Sequence, residues 1–287
     1  TVNRSLALQE ILSSAIGGKQ SQKIIDIHDG HYQASASPVM SGNAVSGIAL
    51  LIFDVTEREN SEQMRREFTA NVSHELRTPL HSISGYAELL KNGMVKSGDV
   101  KPVATKIYDE AQRMVRLVED IINLSHLDEG AEDMIKEEVD LYDIVSSTIE
   151  SLSPEAEAAG VTVSFSGRHV SVNGISQLLS GIVYNLCDNA IKYNRQGGSV
   201  SVSLSSEDKD AVLTVSDTGI GIPTEHQQRI FERFYRVDKS HSKEVGGTGL
   251  GLSIVKHAAK IHDAKIKLSS VPDQGTEITV IFPKSLS

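Results

Sequence analysis

Cysteine, basic charge and long apolar runs are all scarce in this sequence of 287 residues, and each shortage excludes something. The single cysteine, Cys187, rules out an internal disulfide and fits a reducing compartment. Lys and Arg number 28 against 38 Asp and Glu, a formal net charge of −10. An acidic balance argues against direct binding of nucleic acid or an anionic membrane, whose phosphates need a basic surface. The longest apolar run, Ile48–Phe53, is far short of the roughly 20 residues that span a bilayer. No signal-peptide pattern is present, and with Thr1 in place of Met the expectation is a piece excised from a longer chain, whose missing part could hold a membrane anchor. Repeats and low-complexity tracts are missing too. What remains is 39% hydrophobic and 23% charged, the texture of a globular chain long enough for two or three domains.

Three regions differ in texture. Residues 1–58 carry a short leading helix near Leu6–Ile16 and two β-like stretches, His31–Ala36 and Val45–Val55, around the turn-forming Ser41-Gly42-Asn43. From 59 to 130, Met64, Phe68, Val72, Leu76, Leu80, Ile83, Ala87 and Leu90 recur every three or four residues. Val103, Ile107, Ala111, Met114, Val118 and Ile121 repeat the pattern beyond Asn92-Gly93 and Ser97-Gly98. Two long helices with a short turn make an αα-hairpin. Its stripes need a second copy to bury them, so the spacing predicts a homodimeric four-helix bundle; packing on neighbouring domains is the plainer alternative. From 131 to 287 the pattern is mixed. Strands are expected at Val161–Phe165, Val200–Leu204, Val212–Val215, Ile266–Leu268 and Ile278–Phe282, and helices at Ile175–Tyr193 and Leu250–His262. Hairpin-linked strands point to a two-layer α/β sandwich with a mixed sheet rather than a Rossmann domain.

Chemistry concentrates in five short segments. In FTANVSHELRTPL (68–80), Phe68, Val72, Leu76 and Leu80 stay within about 120° of one another on a helix, and His74 points about 200° from Val72. Thr78 follows one turn later on the His74 face, and Pro79 is expected to bend the helix. His74-Glu75 is not a zinc motif, because Thr78 stands where a second histidine belongs. DTGIGIP (217–223) follows a strand and GGTGLG (246–251) precedes a helix, where glycines and a helix N-terminus let backbone amides approach phosphate. Neither run is a Walker A loop or a GxGxxG fingerprint. NLCDNAIKY (185–193) places Asn185, Asn189, Lys192 and Tyr193 on one helical face, where amide oxygens suit a hard cation and the ammonium suits phosphate. Asp188 is expected to be a solvated neighbour. FERFYRVD (231–238) sets three aromatics beside Arg233 and Arg236. An amphipathic helix is the plain reading, and the polar stretch 238–245 after it is a candidate lid.

Together these segments resemble, in order, the H, N, G1, F and G2 boxes of the sensor histidine kinases of two-component systems, over residues 60–287. The resemblance implies a HisKA-type dimerisation and phosphotransfer hairpin followed by a Bergerat-type ATP-binding domain. It implies a protein-histidine kinase using ATP and Mg²⁺, with a response-regulator receiver domain as partner. In such kinases His74 would match the phospho-acceptor, Glu75 the general base, and Thr78 the residue that orients water for regulator dephosphorylation. Asn185 matches the Mg²⁺ ligand, and Asn189, Lys192 and Tyr193 match phosphate contacts. Asp217 matches the adenine acceptor, with Gly219 and Gly221 lining the base pocket. Tyr235 and Arg236 resemble lid residues; Gly247, Thr248, Gly249, Leu250 and Gly251 resemble the hinge and triphosphate cradle. A neutral imidazole nucleophile agrees with this role, since an unperturbed histidine is mostly uncharged at pH 7. Residues 1–58 are similar to the end of a PAS domain, with Asp54-Val55-Thr56 as its exit; a signal input and a folded spacer are both open readings. Departures are Asn173-Gly174, Asn194 after Tyr193, and His262-Asp263-Ala264 in place of His-Gly-Gly. The family is often anchored in a bacterial cell membrane with these domains facing the cytoplasm. Two rival readings remain: a Bergerat-type ATPase, and a pseudokinase adaptor that only binds nucleotide.

Overall fold

The computed structural model describes residues 6–28, 30–128, 135–207, 210–237 and 247–283. The chain divides into two compact units, Thr1–His74 and Glu75–Ser287, with the division inside one long helix.

In the first unit, α1 (Leu6–Ile16) packs on an antiparallel sheet of β1 (Ser21–Ile27), β2 (Gly30–Ser41) and β3 (Ala44–Asp54), in the order β1-β2-β3. Leu8, Ile11 and Ala15 fall on one helical face and bury against Ile25, Ala34 and Ala36. The expected helix and the 41–43 turn are present; Gly42 takes φ +60° in a two-residue hairpin loop. β1 is an addition to the two expected strands. At the end of β3, Asp54 Oδ1 accepts from the Thr56 N–H at 2.9 Å. The His31 N–H donates to Thr56 Oγ1 at 2.9 Å, tying the start of α2 (Thr56–Lys91) to β2.

α2 is helical without interruption through Pro79, whose ring is buried. Residues 92–99 then turn the chain, with Gly93 at φ +63° and a single 3₁₀ turn at Ser97–Asp99, into α3 (Val100–Asp128). The hairpin is as expected, and α3 carries two opposed stripes. Arg113, Leu117, Asp120 and Leu124 share one side, where both leucines are buried. Val115, Val118 and Ile122 share the other, each between 42% and 50% exposed.

The rest of the second unit is a two-layer sandwich. β5 (Thr162–Gly167), β7 (Ser199–Glu207), β8 (Asp210–Asp217), β10 (Gly275–Pro283) and β9 (Lys265–Val271) form one sheet in that order, with β5–β7 parallel and the other pairs antiparallel. Val202, Leu213, Val215, Val280 and Phe282 alternate inward along these strands. They meet Leu179, Ile182 and Val183 of α5 (Ser176–Lys192) and Ile254, Val255 and Ala258 of α6 (Gly251–Ile261). Two features go beyond the expected set. One is a small pair, β4 (Glu137–Asp140) with β6 (Ser171–Gly174). The other is α4 (Leu141–Ala159), capped by Asp140 at its start and closed by Gly160 at φ +66°. The region 227–237 is a series of turns after a 3₁₀ turn at Thr224–His226, so the expected amphipathic helix over FERFYRVD is not formed. Hydrogen bonds from Tyr235 and Phe234 to their neighbours hold it instead. Cys187 lies buried on α5, its thiol pushed up to about 12 by burial and by Asp188 beside it. Among the described residues no helix is long and apolar enough to cross a membrane.

Candidate active site

On α2, His74 and Thr78 are exposed and Glu75 is half-buried, as the helical spacing requires. The Arg113 guanidinium of α3 lies 3.8 Å from the Glu75 carboxylate, an ion pair across the hairpin.

α5 positions the next group. Asn185 spends its Nδ2 on the Gly181 carbonyl at 2.8 Å, which leaves Oδ1 as the atom directed at the 247–251 turn. A Cβ on Gly251 would stand 2.5 Å from that oxygen, so only glycine fits the start of α6. Lys192 pairs with Asp188 at 2.5 Å, one turn apart on the helix. Asp188 is therefore not the solvated neighbour expected; its side chain is only 15% exposed. Tyr193 ends the helix half-buried, its hydroxyl facing Gly247 and its carbonyl accepting from the Ile220 N–H at 3.1 Å. Burial raises the Tyr193 phenol, and the Arg236 guanidinium works against it.

β8 delivers Asp217. Its Oδ1 accepts from the Gly219 N–H at 2.8 Å and the Thr276 N–H at 3.2 Å. Burial pushes the carboxyl upward while these two amides hold it down. Gly221 follows at φ +67°, with the Val271 carbonyl where a side chain would begin. Asn194, a departure from the family pattern, braces this turn. Its Nδ2 donates to the carbonyls of Ala190 and Ser199, and its Oδ1 accepts from the Arg195 N–H. A second departure, Asp263, keeps its turn by adopting φ +53° itself. Beside it His262 is buried: Nδ1 bonds the Ala258 carbonyl at 2.7 Å and Nε2 accepts from the Ile175 N–H at 2.9 Å, next to Gly174.

Tyr235 bonds His226 Nδ1 through its hydroxyl at 2.6 Å, and Arg229 stacks 4.3 Å above its ring. Phe234, at φ +61°, donates its N–H to the Gly249 carbonyl at 2.9 Å, joining this segment to the glycine turn. Arg236 feels Tyr193, Arg113 and Glu75, and burial lowers its pKa. Gly246 and the candidate lid 238–245 lie outside the described residues. Leu250 is fully buried, and its N–H donates to Thr248 Oγ1 at 3.2 Å.

The structure thus brings the α5 group, Asp217, Gly219, Gly221, the Tyr235–Arg236 segment and residues 247–251 to one edge of the sandwich. Asn189 shares the half-buried face of α5. Two partners escaped the sequence. Asp188 was signalled by its i,i+4 spacing to Lys192. Asp120, which accepts from the Thr248 hydroxyl at 2.7 Å, sits 128 positions away with no local sign. Elsewhere Asp140, Asp143 and His169 bring ligand atoms within 4.8 Å of one another, but Asp140 is already engaged as the cap of α4.

Known proteins resemble this chain over both the hairpin and the sandwich. Residues 64–130 match the His Kinase A (phospho-acceptor) domain family, and residues 174–286 match the histidine kinase-, DNA gyrase B- and HSP90-like ATPase family. The sensor histidine kinase WalK of Bacillus subtilis is 36% identical over 243 residues, which is 83% of this chain and 40% of that protein. WalK of Staphylococcus saprophyticus is 37% identical over 242 residues with the same coverage. The chain thus spans about two-fifths of the length of these curated relatives. Histidine kinase ThkA, solved in complex with the response regulator TrrA, shares the fold with TM-score 0.62 at 20% identity, covering 97% of this chain and 83% of that one. Full-length ShkA with AMPPNP superposes with TM-score 0.57 at 26% identity, over 77% of this chain and 47% of that one.

Proposed function

The chain belongs to the sensor histidine kinases, and from that premise we propose that it is an ATP-dependent protein-histidine kinase. It phosphorylates itself on His74, passes the phosphoryl group to an aspartate of a response-regulator receiver domain, and dephosphorylates that regulator with Thr78 orienting the water. The observation that supports this most is the single edge formed by Asn185, Lys192, Tyr193, Asp217 and the 247–251 turn, in a chain whose hairpin exposes His74 beside Glu75.

In this reading Asp217 holds the adenine amino group with its second carboxylate oxygen, since Oδ1 already accepts two amides. Gly219 and Gly221 keep side chains out of the base pocket. Asn189, Lys192 and Tyr193 take the phosphates, and Arg236 neutralises charge on the γ-phosphoryl group. Leu250 at the N-cap of α6 offers no side-chain acceptor, so the first-turn amides remain for phosphate. Asn185 fits Mg²⁺ because its amide oxygen, the hard donor that this cation needs, is the atom left facing the 247–251 turn. Bound there, the cation would offset triphosphate charge. A ring nitrogen of His74 forms the new P–N bond as the bond between the γ-phosphorus and the ADP oxygen breaks, and Glu75 receives the ring proton. Arg113 fixes the place of the Glu75 carboxylate.

The finer architecture belongs to the same reading. The uncovered stripe Val115, Val118 and Ile122, with Leu80 and Leu89 of α2, supports a homodimer in which two hairpins form a four-helix bundle. The N-terminal sheet, with its Asp54–Thr56 lock at the start of α2, supports a PAS-like end that hands a signal to the hairpin.

The test is to incubate wild type and His74→Gln with γ-labelled ATP and Mg²⁺ and to examine the label in acid and in base. An acid-labile, base-stable label that vanishes in the variant is the expected result. ATP turnover without phosphoprotein would favour the ATPase reading, and nucleotide binding without either would favour the adaptor.

A further inference from the structure

The hydroxyl of Thr248 is committed to a carboxylate from the other domain. Asp120 Oδ2 accepts it at 2.7 Å, and α3 packs on α6 directly behind the 247–251 turn. Thr248 also accepts from the Leu250 N–H, so its hydrogen is the donor in the bond to Asp120 and its oxygen holds the turn. Burial pushes the Asp120 carboxyl upward and Asp188 adds to this, while the Thr248 hydroxyl and Lys192 hold it down. Asp120 thus sets a carboxyl oxygen against a hydroxyl donor at the mouth of a glycine turn, close to a lysine. These are the partners that the nucleotide phosphates require in the reading above.

We propose that Asp120 stands in for a phosphate group: it latches the ATP-binding domain to α3 through Thr248, and a bound nucleotide must displace it. Two anions cannot accept the same hydroxyl hydrogen, and each raises the cost of the other beside Lys192. Binding of nucleotide and docking of the domain on α3 therefore oppose one another through one side chain. The coupling is reciprocal: whatever loosens the docked arrangement tightens nucleotide binding by the same factor. On the Asp120 side of α3, Leu117 is buried and Arg113 lies near enough to Arg236 to act on it electrostatically, so both are placed to sense such a release. Asp120 is a positioning residue in this scheme and takes no part in phosphoryl transfer.

The inference rests on the nucleotide-site reading, and a double-mutant cycle on the full chain separates the two. The equilibrium Kd for ADP, which cannot phosphorylate the chain, is measured by calorimetry for wild type, Asp120→Ala, Thr248→Val and the double variant. Asp120→Asn, which keeps shape and an acceptor oxygen, is a second variant should alanine disturb folding. Removing Asp120 is expected to tighten ADP about fivefold or more, the lower edge of ordinary coupling between sites. In the Thr248→Val background the same change should alter Kd less than about twofold, because the latch is already open. Equal tightening in both backgrounds would reduce Asp120 to a background charge and overturn the latch. An unchanged Kd in both Asp120 variants would overturn it as well. A wild type that binds no ADP would overturn the nucleotide-site reading, and the latch with it.

Discussion

The hairpin and the ATP-binding sandwich solve the problem of apolar surface in opposite ways. In the sandwich, Leu179, Ile182 and Val183 on α5 meet Leu213, Val280 and Phe282 from the sheet, and all six are essentially inaccessible. On α3, by contrast, Val115, Val118 and Ile122 leave two-fifths or more of their surface in contact with solvent. At roughly 1.5–3 kcal/mol for each large side chain buried, that stripe is an unfilled demand and the sandwich core is a filled one. One region is complete as a single chain. The other leaves an apolar stripe uncovered on the hairpin that carries His74, so in the proposed reading assembly and chemistry meet in the hairpin and stay separate in the sandwich.

This contrast can be broken from either side. The largest effect is expected at Asp217, where Asn would replace a carboxylate that already accepts two amides. Hydrogen bonds to charged groups are worth about 1.5–3 kcal/mol, so nucleotide affinity by calorimetry should fall roughly 10- to 100-fold. The proposed dimer, measured by sedimentation, should be untouched. Val118→Glu makes the converse cut. It should weaken the dimer by at least about tenfold by placing a charge in an apolar seam, while ADP affinity stays within about twofold of wild type. If both properties fall together in either variant, the division between the two regions is wrong.

The smallest effect is one of pH and sharpens the comparison within the sandwich. His262 is held neutral, with Nδ1 toward the Ala258 carbonyl and Nε2 accepting from Ile175; burial lowers its pKa, with Lys136 adding to the effect and Asp263 opposing it. An unfolded histidine titrates near about 6.5. Above that pH both states are neutral and stability is full. As pH falls through 6.5 toward the lower folded value, the unfolded chain binds the proton first and stability is lost. The thermal midpoint of the sandwich should therefore drop below pH 6.5 and flatten in His262→Gln, whose amide can both donate and accept. An equal drop in the variant would assign the loss to other groups.

Sequence pattern revealed most of this where local periodicity and burial agree. The alternation of β7, β8 and β10 is of this kind; the helices α2 and α3 are legible from their period, although Met64, Leu80 and Val118 of the expected stripes stay exposed. It failed where context decides. α4 is missing from the expected helices, its stretch broken by Ser146, Ser147, Ser151, Ser153 and Pro154, yet Leu141, Ile144, Val145, Leu152 and Ala156 build a buried face. The FERFYRVD segment has helical spacing but is pinned as turns by Tyr235–His226 and Phe234–Gly249 bonds. Asp120 and Thr248 meet only through tertiary packing, and no spacing rule connects residues so far apart.

Cys187 has a practical consequence. With Cys187 buried on α5 and its thiol pushed up to about 12, the thiolate is scarce at neutral pH. Alkylating reagents attack thiolates, so toward a maleimide or a nitroxide label the chain behaves as if it held no cysteine. Any cysteine introduced at its surface becomes the sole address for a probe, and the motions of hairpin and sandwich can be followed without first removing a native thiol from the folded core.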